Sequence, residues 1–304
     1  VAEWLAALSL ADSGAAQWLE AEGPYEETAD VIAMSADEVR ALVAAATERS
    51  APHGARVRAA FAGIVLRVPE DCLTLKEALE KAKADPTIRT ISVGKGEHQV
   101  EFDEDYSGNV QRIGFPIKIV GNGDKNEVVV VGGFLIEKGV QGNAHLQNMT
   151  IRKGGMDGCG VAAESQSHFS LEDVIVEQCD SMGVRATGTD CVVRCTNLEV
   201  RQCELSGVFA CMGASITLIG AKTTVHHNCT KGKSREDFDD EEDEFGDEEE
   251  DEFDDEEEDG GIPCYGLFVW DASSKIELVH PLTKESVATD NSGSGNWGAH
   301  ADAD

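Results

Sequence analysis

The sequence lacks most of the features that assign a chain quickly to a functional class. No apolar run approaches the roughly 18 residues that a membrane-spanning helix needs, so we expect no membrane partner. The cysteines form no C-x-x-C pair of the kind that four-ligand zinc sites favour, and neither a metal nor another cofactor is expected. A Gly-x-Ser-x-Gly motif, a Walker loop and a basic stripe with interleaved aromatics are all missing, which argues against nucleic-acid binding and against the common nucleotide and hydrolase sites.

Negative charge, by contrast, is abundant but confined to one place. The formal net charge is −33, yet 20 of the 24 residues from Glu236 to Asp259 are Asp or Glu, which leaves −13 on the rest of the chain. The remainder is therefore an ordinary acidic protein that carries one exceptional segment.

Nine cysteines are an odd count in a chain with no apolar leader, which favours reduced, mostly buried thiols. We therefore expect a soluble intracellular protein of the cytoplasm or the nucleus. Residue 1 is Val rather than Met, so the presence of an upstream targeting segment is left open.

The first 63 residues have a helical pattern. Apolar residues recur at steps of three and four in an Ala-rich background, from Trp4-Leu5 through Val31-Ile32 to Val57. Ser35 followed by Glu38 is typical of a capping box at the start of a helix. We predict a small all-α bundle over residues 1–63.

Short segments of this bundle resemble the sterile alpha motif (SAM) domain. They are Trp4-Leu5-x-x-Leu8-x-Leu10, Trp18-Leu19, Met34-Ser-Ala-Asp-Glu-Val39 with Leu42, and His53-Gly54-x-Arg56-Val57. The resemblance implies a domain without a catalytic centre that associates, often head to tail, through an acidic middle surface and a basic start of the last helix.

Charges of both signs are present at the matching positions. The candidate partner-binding residues of this domain are Glu26, Glu27, Asp30, His53, Arg56 and Arg58. Complementary patches of this kind would steer self-association or partner docking. Mixed surface charge is also normal for a soluble bundle, and both interpretations stay open.

The middle of the chain contains a repeat with a period of 24 to 25 residues. Asn148-Met-Thr-Ile-Arg, Asp173-Val-Ile-Val-Glu and Asn197-Leu-Glu-Val-Arg each lead to a Gly-Val pair. A fixed period of this size is typical of units that cannot bury an apolar face alone and must stack. The repeat therefore predicts a β-solenoid.

The segment from Leu73 to Trp297 resembles the right-handed parallel β-helix of the pectin-lyase-like group, which includes β-helix regions of eukaryotic scaffold and ubiquitin-ligase adaptor proteins. Leu73-Thr-Leu-Lys-Glu-Ala, Ile91-x-Val93 and Ile119-Val-Gly carry the likeness at the start of the segment. The resemblance implies a mainly β fold, a single-stranded right-handed solenoid, which we place over residues 64–298 with a short tail at 299–304. An amphipathic pattern with Leu75, Ala78, Leu79 and Ala82 on one side predicts a helix at 73–83 that caps the first turn.

Strand alternation assigns side chains to the two sides of each strand. Residues predicted to point inward are Met149, Ile151, Val174, Val176, Leu198, Val200, Thr223 and Val225. The outward ladder is Arg152, Glu177, Arg201 and His226, and a stacked turn position holds Gly154, Cys179, Cys203 and Asn228. In His226-His227 the two rings should face opposite ways, with one turned inward.

The acidic segment is predicted to interrupt one turn. Gly160-Val161, Gly183-Val184 and Gly207-Val208 are 23 and 24 residues apart, whereas the next such pair, Gly266-Leu267, follows after 59. The excess of about one and a half periods matches an insertion at 232–261, which we expect to be disordered because like charges repel and apolar surface is scarce.

Three aromatics recur every seven or eight residues in this insertion, at Phe238, Phe245 and Phe253. They favour either a docking site for a basic protein or, with the acids, a weak divalent-cation sponge. A solvated low-complexity loop is the alternative, and an EF-hand order of ligands is missing.

Polysaccharide lyases and hydrolases share the β-helix fold, so an active site has to be sought in the residues themselves. The outward acids and bases are Asp157, Asp173, Glu177, Asp180, Arg185, Asp190 and Arg201. They fall on different turns, without the motifs of pectin hydrolases or a lyase arginine. Near the carboxyl end, Trp297 is expected to cover the last turn, with a sugar-stacking platform as the alternative.

These observations predict a non-catalytic interaction or scaffold protein, in which the SAM-like domain oligomerises or docks a partner and the solenoid is a rigid binding surface. The alternative is a carbohydrate-binding or polysaccharide-degrading β-helix, acting as a lyase or a glycoside hydrolase. No catalytic, cofactor-binding or metal-binding residue is assigned.

Overall fold

The computed structural model describes Leu42 and residues 64–300, apart from 86–87, 107, 141, 143, 155–157 and 232–262. The predicted SAM-like bundle, the acidic insertion and the tail at 301–304 lie outside the described residues. Leu42, the exception in the first segment, is a buried helical residue.

Within its described part the chain is a parallel β-solenoid of about six turns, as the repeat predicted. The strands form a 13-stranded and an 8-stranded sheet in these residues. The larger sheet bends around a corner and covers two sides, which we call face A and face B. The smaller sheet is face C, and all described strand pairs are parallel except β4 with β5.

Face A consists of β1 (Ile64–Val68), β2 (Ile88–Val93), β6 (Lys118–Gly121), β13 (Val192–Thr196), β16 (Ser215–Ile219), β19 (Lys275–Leu278) and the first halves of β9 (Ala144–Arg152) and β11 (His168–Glu177). Face B consists of β3 (Gly96–Gln99), β7 (Val128–Val131), β14 (Glu199–Arg201), β17 (Thr224–His226), β20 (Ala288–Thr289) and the second halves of β9 and β11. Face C consists of β4 (Phe102–Asp103), β5 (Gly108–Ile113), β8 (Gly133–Ile136), β10 (Val161–Ala163), β12 (Val184–Thr187), β15 (Val208–Cys211), β18 (Tyr265–Val269) and β21 (Gly295–Ala299).

Helices are few and short in the described part. Helix α1 (Leu75–Ala84) begins after Thr74, whose hydroxyl accepts a hydrogen bond from the Glu77 amide at 3.1 Å. Its apolar side packs against β1 and β2 at the start of the stack, where an open end would expose core and strand edges. A 3-10 turn (Glu104–Tyr106) and helix α2 (Lys284–Val287) complete the set.

The core is a set of inward ladders. Ile151, Val176, Val200 and Val225 pair with one another in parallel register, and none of them is exposed. The other side chains predicted to point inward are buried as well, so the inward assignment is confirmed. Each turn therefore places an isoleucine or a valine against the residue at the same position of the previous turn.

The glycine of each Gly-Val pair is required by this core. A Cβ on Gly183 would lie 2.3 Å from the Val200 Cγ1 and 2.6 Å from the Gly207 carbonyl oxygen. Gly160 and Gly207 have equivalent clashes with the inward valines of the neighbouring turns. The pair therefore recurs because backbone must approach side chain closely at this place.

The Asn or Asp that begins each repeat lies at a corner between two faces of the solenoid. Asn148, Asp173 and Asn197 have φ values of 57°, 52° and 53°, in the left-handed region that Asn and Asp tolerate best. The Asn148 amide donates hydrogen bonds to the carbonyls of Gly121 and Gly123, at 2.9 and 2.7 Å. Lys153, Gln178 and Gln202, five residues after these positions, form a second left-handed corner, and His227 is the equivalent residue of the next turn.

Strand β18 follows β15 directly in the stack. Leu267 lies opposite Val208 even though 59 residues separate them in the sequence. The chain on either side of residues 232–262 therefore belongs to one turn. All nine cysteines are free thiols and are buried.

Candidate interaction surface

The outward ladder predicted for face B forms a connected line of ion pairs. Arg152, Glu177, Arg201 and His226 occupy the same register position in successive turns. Side chains of unlike charge at such positions lie about 4.8 Å apart and interact. The predicted ladder is confirmed.

Glu177 is the centre of this line. One of its oxygens accepts a hydrogen bond from the Arg152 Nε at 2.7 Å, and the other accepts two from Arg201, at 2.9 Å from Nε and 2.7 Å from Nη2. The Arg201 Nη1 also donates to the Glu199 Oε1 at 2.5 Å.

The line continues at both ends with weaker contacts. Glu97 lies 3.5 Å from the Arg152 guanidinium, and the His226 Nε2 lies 3.6 Å from Glu199. We call the whole set the ion-pair ladder; its members are Glu97, Arg152, Glu177, Glu199, Arg201 and His226.

The ladder is partly closed to solvent. The Glu177 side chain is 6% exposed, whereas those of Arg152 and Arg201 are 31% and 32% exposed. Burial alone would raise the pKa of the Glu177 carboxyl, but the hydrogen bonds and charges of the two arginines outweigh it and the pKa is lowered. Glu177 is therefore a fixed carboxylate at neutral pH.

Face A carries a contact that was not predicted from the sequence. The His145 Nδ1 and the Ser170 Oγ lie 2.7 Å apart in a hydrogen bond, and the His145 Nε2 lies 3.5 Å from the Glu172 Oε2. Burial lowers the pKa of His145, and the positive charge of Lys118 lowers it further, so the ring is neutral at pH 7. The separation of 25 residues between His145 and Ser170 is one period of the repeat and could have revealed the pair.

Serine, histidine and a carboxylate in contact are also the components of a catalytic triad, and two features argue against that chemistry here. Strands β9 and β11 each pair with neighbours on both sides of face A, so the described amides around Ser170 are engaged in the sheet. An acyl-transfer site needs free amides directed at the developing oxyanion. The long 3.5 Å contact with Glu172 also orients the ring weakly.

Face C has apolar side chains at its outward positions. Leu135, Ala162, Phe209 and Phe268 share one outward ladder with Arg185 and are at most 7% exposed. Phe268 is the hub of a ring cluster, with ring centres 5.4 Å from Phe209, 5.3 Å from Tyr265 and 5.8 Å from Trp270. His300 stacks on Trp270 at 4.6 Å.

The carboxyl end of the solenoid has an open cavity of about 480 Å³. Trp297 lies opposite Leu267 in the last strand pair and is 38% exposed. It thus stands at the end of the stack, as the sequence predicted, and borders the cavity. The lining residues are Leu267, Val269, Ile276, Leu278, Lys284, Trp297, Gly298 and Ala299.

The prediction that one of the rings of His226 and His227 turns inward was wrong. Both rings lie on the outside, with their Nδ1 atoms 2.8 Å apart and their ring centres 5.1 Å apart. The reason is the φ of 56° at His227, which ends the strand and breaks the alternation of its side chains. Neither ring is turned inward.

The remaining predicted residues are dispersed. Among the outward acids and bases considered for carbohydrate chemistry, Glu177 and Arg201 belong to the ion-pair ladder, Asp173 forms a corner, and Asp180 and Asp190 lie in exposed turns. Of this set, Asp157 lies outside the described residues. So do all the candidate partner-binding residues: Glu26, Glu27, Asp30, His53, Arg56, Arg58, Phe238, Phe245 and Phe253.

The described part of the chain has no group of three or more His, Cys, Asp or Glu side chains arranged to hold a metal ion. Among the helices of these residues, none has the length and apolar character required to cross a membrane. Comparison of the chain with family profiles, with curated proteins and with solved structures found no match.

Proposed function

We propose that the chain is a non-catalytic interaction protein. In this proposal the solenoid, right-handed as in the pectin-lyase-like group, is a rigid display surface, and the SAM-like residues 1–63 self-associate or dock a partner. The observation that supports it best is the ion-pair ladder, in which polar side chains from five turns contact one another along a surface strip instead of converging in a cleft.

The protonation states of the ladder also favour this function. A glycosidase needs a carboxylic acid whose pKa is raised so that it can donate a proton, and the pKa of Glu177 is lowered. A lyase base needs an arginine that can lose its proton. Burial would lower the pKa of Arg201, but Glu177 and Glu199 outweigh that effect and raise it.

A protein is the partner that this strip fits. Alternating guanidinium and carboxylate groups in fixed register offer a partner a pattern of charge rather than a single strong field, which gives specificity more than affinity. We further propose that the insertion at 232–261, with Phe238, Phe245 and Phe253, recruits a basic protein segment or weakly binds divalent cations.

Light scattering during size-exclusion chromatography tests the self-association part. The molar mass of the full chain should rise with concentration, and Arg56→Glu should return it to that of a monomer. Arg67→Glu is the matched control, because Arg67 is an exposed arginine on β1 of the solenoid. A strict monomer at all concentrations, or equal effects of both variants, would contradict self-association through residues 1–63.

A second candidate function, carbohydrate binding, is favoured by the cavity at the carboxyl end. Its volume lies in the range of small-ligand sites, and the partly exposed Trp297 borders it. Calorimetry with a panel of acidic and neutral oligosaccharides should then give binding that Trp297→Ala abolishes and Phe102→Ala preserves. Product formation from the same panel would overturn the non-catalytic proposal.

A further inference from the structure

Two cysteines flank the interruption of the solenoid. Cys229 follows β17 and Cys264 precedes β18, with the acidic segment between them in the sequence. Both are anchored in the described turn: the Cys229 amide donates to the Leu205 carbonyl at 3.0 Å, and the Cys264 amide donates to the Ser294 hydroxyl at 3.2 Å. The fold thus brings together two thiols that are 35 positions apart in the chain.

Their proximity follows from contacts with a common neighbour. A Cβ placed on Gly293 would lie 3.0 Å from the Cys229 Cβ and 3.4 Å from the Cys264 Cβ. The two thiols interact, and this interaction lowers the pKa of Cys264 and raises that of Cys229. The Ser206 hydroxyl also donates to the Cys264 sulfur at 3.8 Å. Cys264 is therefore the nucleophile of the pair and Cys229 the proton donor.

We propose that Cys229 and Cys264 are an oxidative modification site, at which hydrogen peroxide or a related hydroperoxide forms a disulfide across the interrupted turn. The Cys264 sulfur attacks one peroxide oxygen, the O–O bond breaks, and water leaves after proton transfer. The resulting sulfenic acid is attacked by the Cys229 sulfur, the S–S bond forms, and a second water is released. Two thiols lose two electrons and two protons, and the peroxide gains them.

A second thiol pair provides an internal control. Cys179 and Cys203 occupy the same turn position in adjacent turns and also interact, but each thiol donates to a backbone carbonyl two residues before it, at 3.6 and 3.7 Å. The hydrogen bond with Cys203 and burial raise the pKa of Cys179, which disfavours its thiolate. We expect this pair to stay reduced under conditions that oxidise Cys229 and Cys264.

Peptide mapping of the full chain tests the proposal. The protein is treated with hydrogen peroxide, unfolded in iodoacetamide to block remaining thiols, and digested with trypsin. The expected product joins peptide 223–231 to peptide 236–275, with a loss of about 2 Da for the two hydrogens removed. Because Cys264 is the only cysteine after residue 229, any cross-link to the second peptide reports on Cys264 alone.

Variants separate the proposal from general oxidation. Cys229→Ser should abolish the cross-link and leave Cys264 as a sulfenic acid that dimedone traps, whereas Cys203→Ser should leave the cross-link unchanged. Oxidation of the 229–264 pair should exceed that of the 179–203 pair at every peroxide concentration, because the pKa of Cys264 is lowered and that of Cys179 is raised. Equal oxidation of both pairs, or a Cys264 that stays fully alkylated after peroxide treatment, overturns the proposal.

Discussion

Faces B and C have the same strand geometry and opposite chemistry on their outer sides. On face B the outward positions hold the ion-pair ladder, and on face C they hold two apolar clusters, one with Leu135 and Ala162 and one with the rings of Phe209 and Phe268. Parallel stacking places identical positions about 4.8 Å apart whatever their side chains are. The backbone therefore determines which residues meet, and the side chains determine whether a face is held together by charge or by apolar burial.

The largest expected effect is on face C. Phe268→Ala removes the hub of the ring cluster and should lower the free energy of unfolding by about 3 to 5 kcal/mol, because a large buried side chain leaves a cavity. The measurement is a urea titration. Phe102→Ala, at a phenylalanine that is 62% exposed, is the control and should cost less than about 1 kcal/mol. Similar losses for both would mean that the cluster does not stabilise the fold.

Removal of the central carboxylate of face B should have the next largest effect. Glu177→Ala leaves two arginines without their shared partner and should cost about 2 kcal/mol, less than a fully buried pair because both guanidiniums reach solvent. The matched control is Glu97→Ala at the exposed end of the ladder, which should change stability by less than about 0.5 kcal/mol. If both variants lower the free energy of unfolding equally, Glu177 does not stabilise the ion-pair ladder more than its exposed end does.

The two arginines should differ from each other. Arg201 donates to two carboxylates and Arg152 makes one short bond to Glu177, so Arg201→Ala should cost about 1 kcal/mol more than Arg152→Ala in a titration with urea. A double-mutant cycle with Glu177→Ala isolates the pairwise energies. A larger coupling for Arg152 than for Arg201 would contradict the ladder geometry.

The smallest effect is the acid dependence of face B. Because the folded pKa of Glu177 lies below its unfolded value of 4.5, its contribution is fully present above pH 4.5 and is lost as the pH falls through the folded pKa. Melting temperatures measured from pH 7 to pH 3 should therefore fall less steeply for Glu177→Gln than for the parent chain. The same fall in melting temperature for both proteins between pH 7 and pH 3 would show that protonation of Glu177 is not linked to folding.

Much of the solenoid could be predicted because its period is long and regular. A repeat of 24 to 25 residues determines which positions meet, so the inward valines and the charged outward ladder followed from this spacing together with strand alternation. The Gly-Val pair was recognised as a marker, while its cause, the close approach of Gly183 to Val200, needs three-dimensional distances. Local pattern cannot supply such contacts between turns.

Two parts of the surface could not be predicted from the sequence, for definite reasons. The outward Phe209 and Phe268 look like inward residues in a pattern of hydrophobicity, because burial by neighbouring rings does not follow strand alternation. At His227, a left-handed backbone at a corner redirected a side chain that simple alternation assigned to the other side. The ladders predicted from the period were confirmed. The prediction from strand alternation was wrong at His227, where a strand ends.

The return of β18 to its place beside β15 shows that the stack keeps its register across a connection much longer than those of the preceding turns. Register depends on pairing between turns, and this pairing is formed by residues on either side of the connection. This connection is therefore a suitable insertion site for protein engineering. A folded reporter or an affinity handle joined there would be carried at a fixed height on the solenoid, with every other turn unchanged.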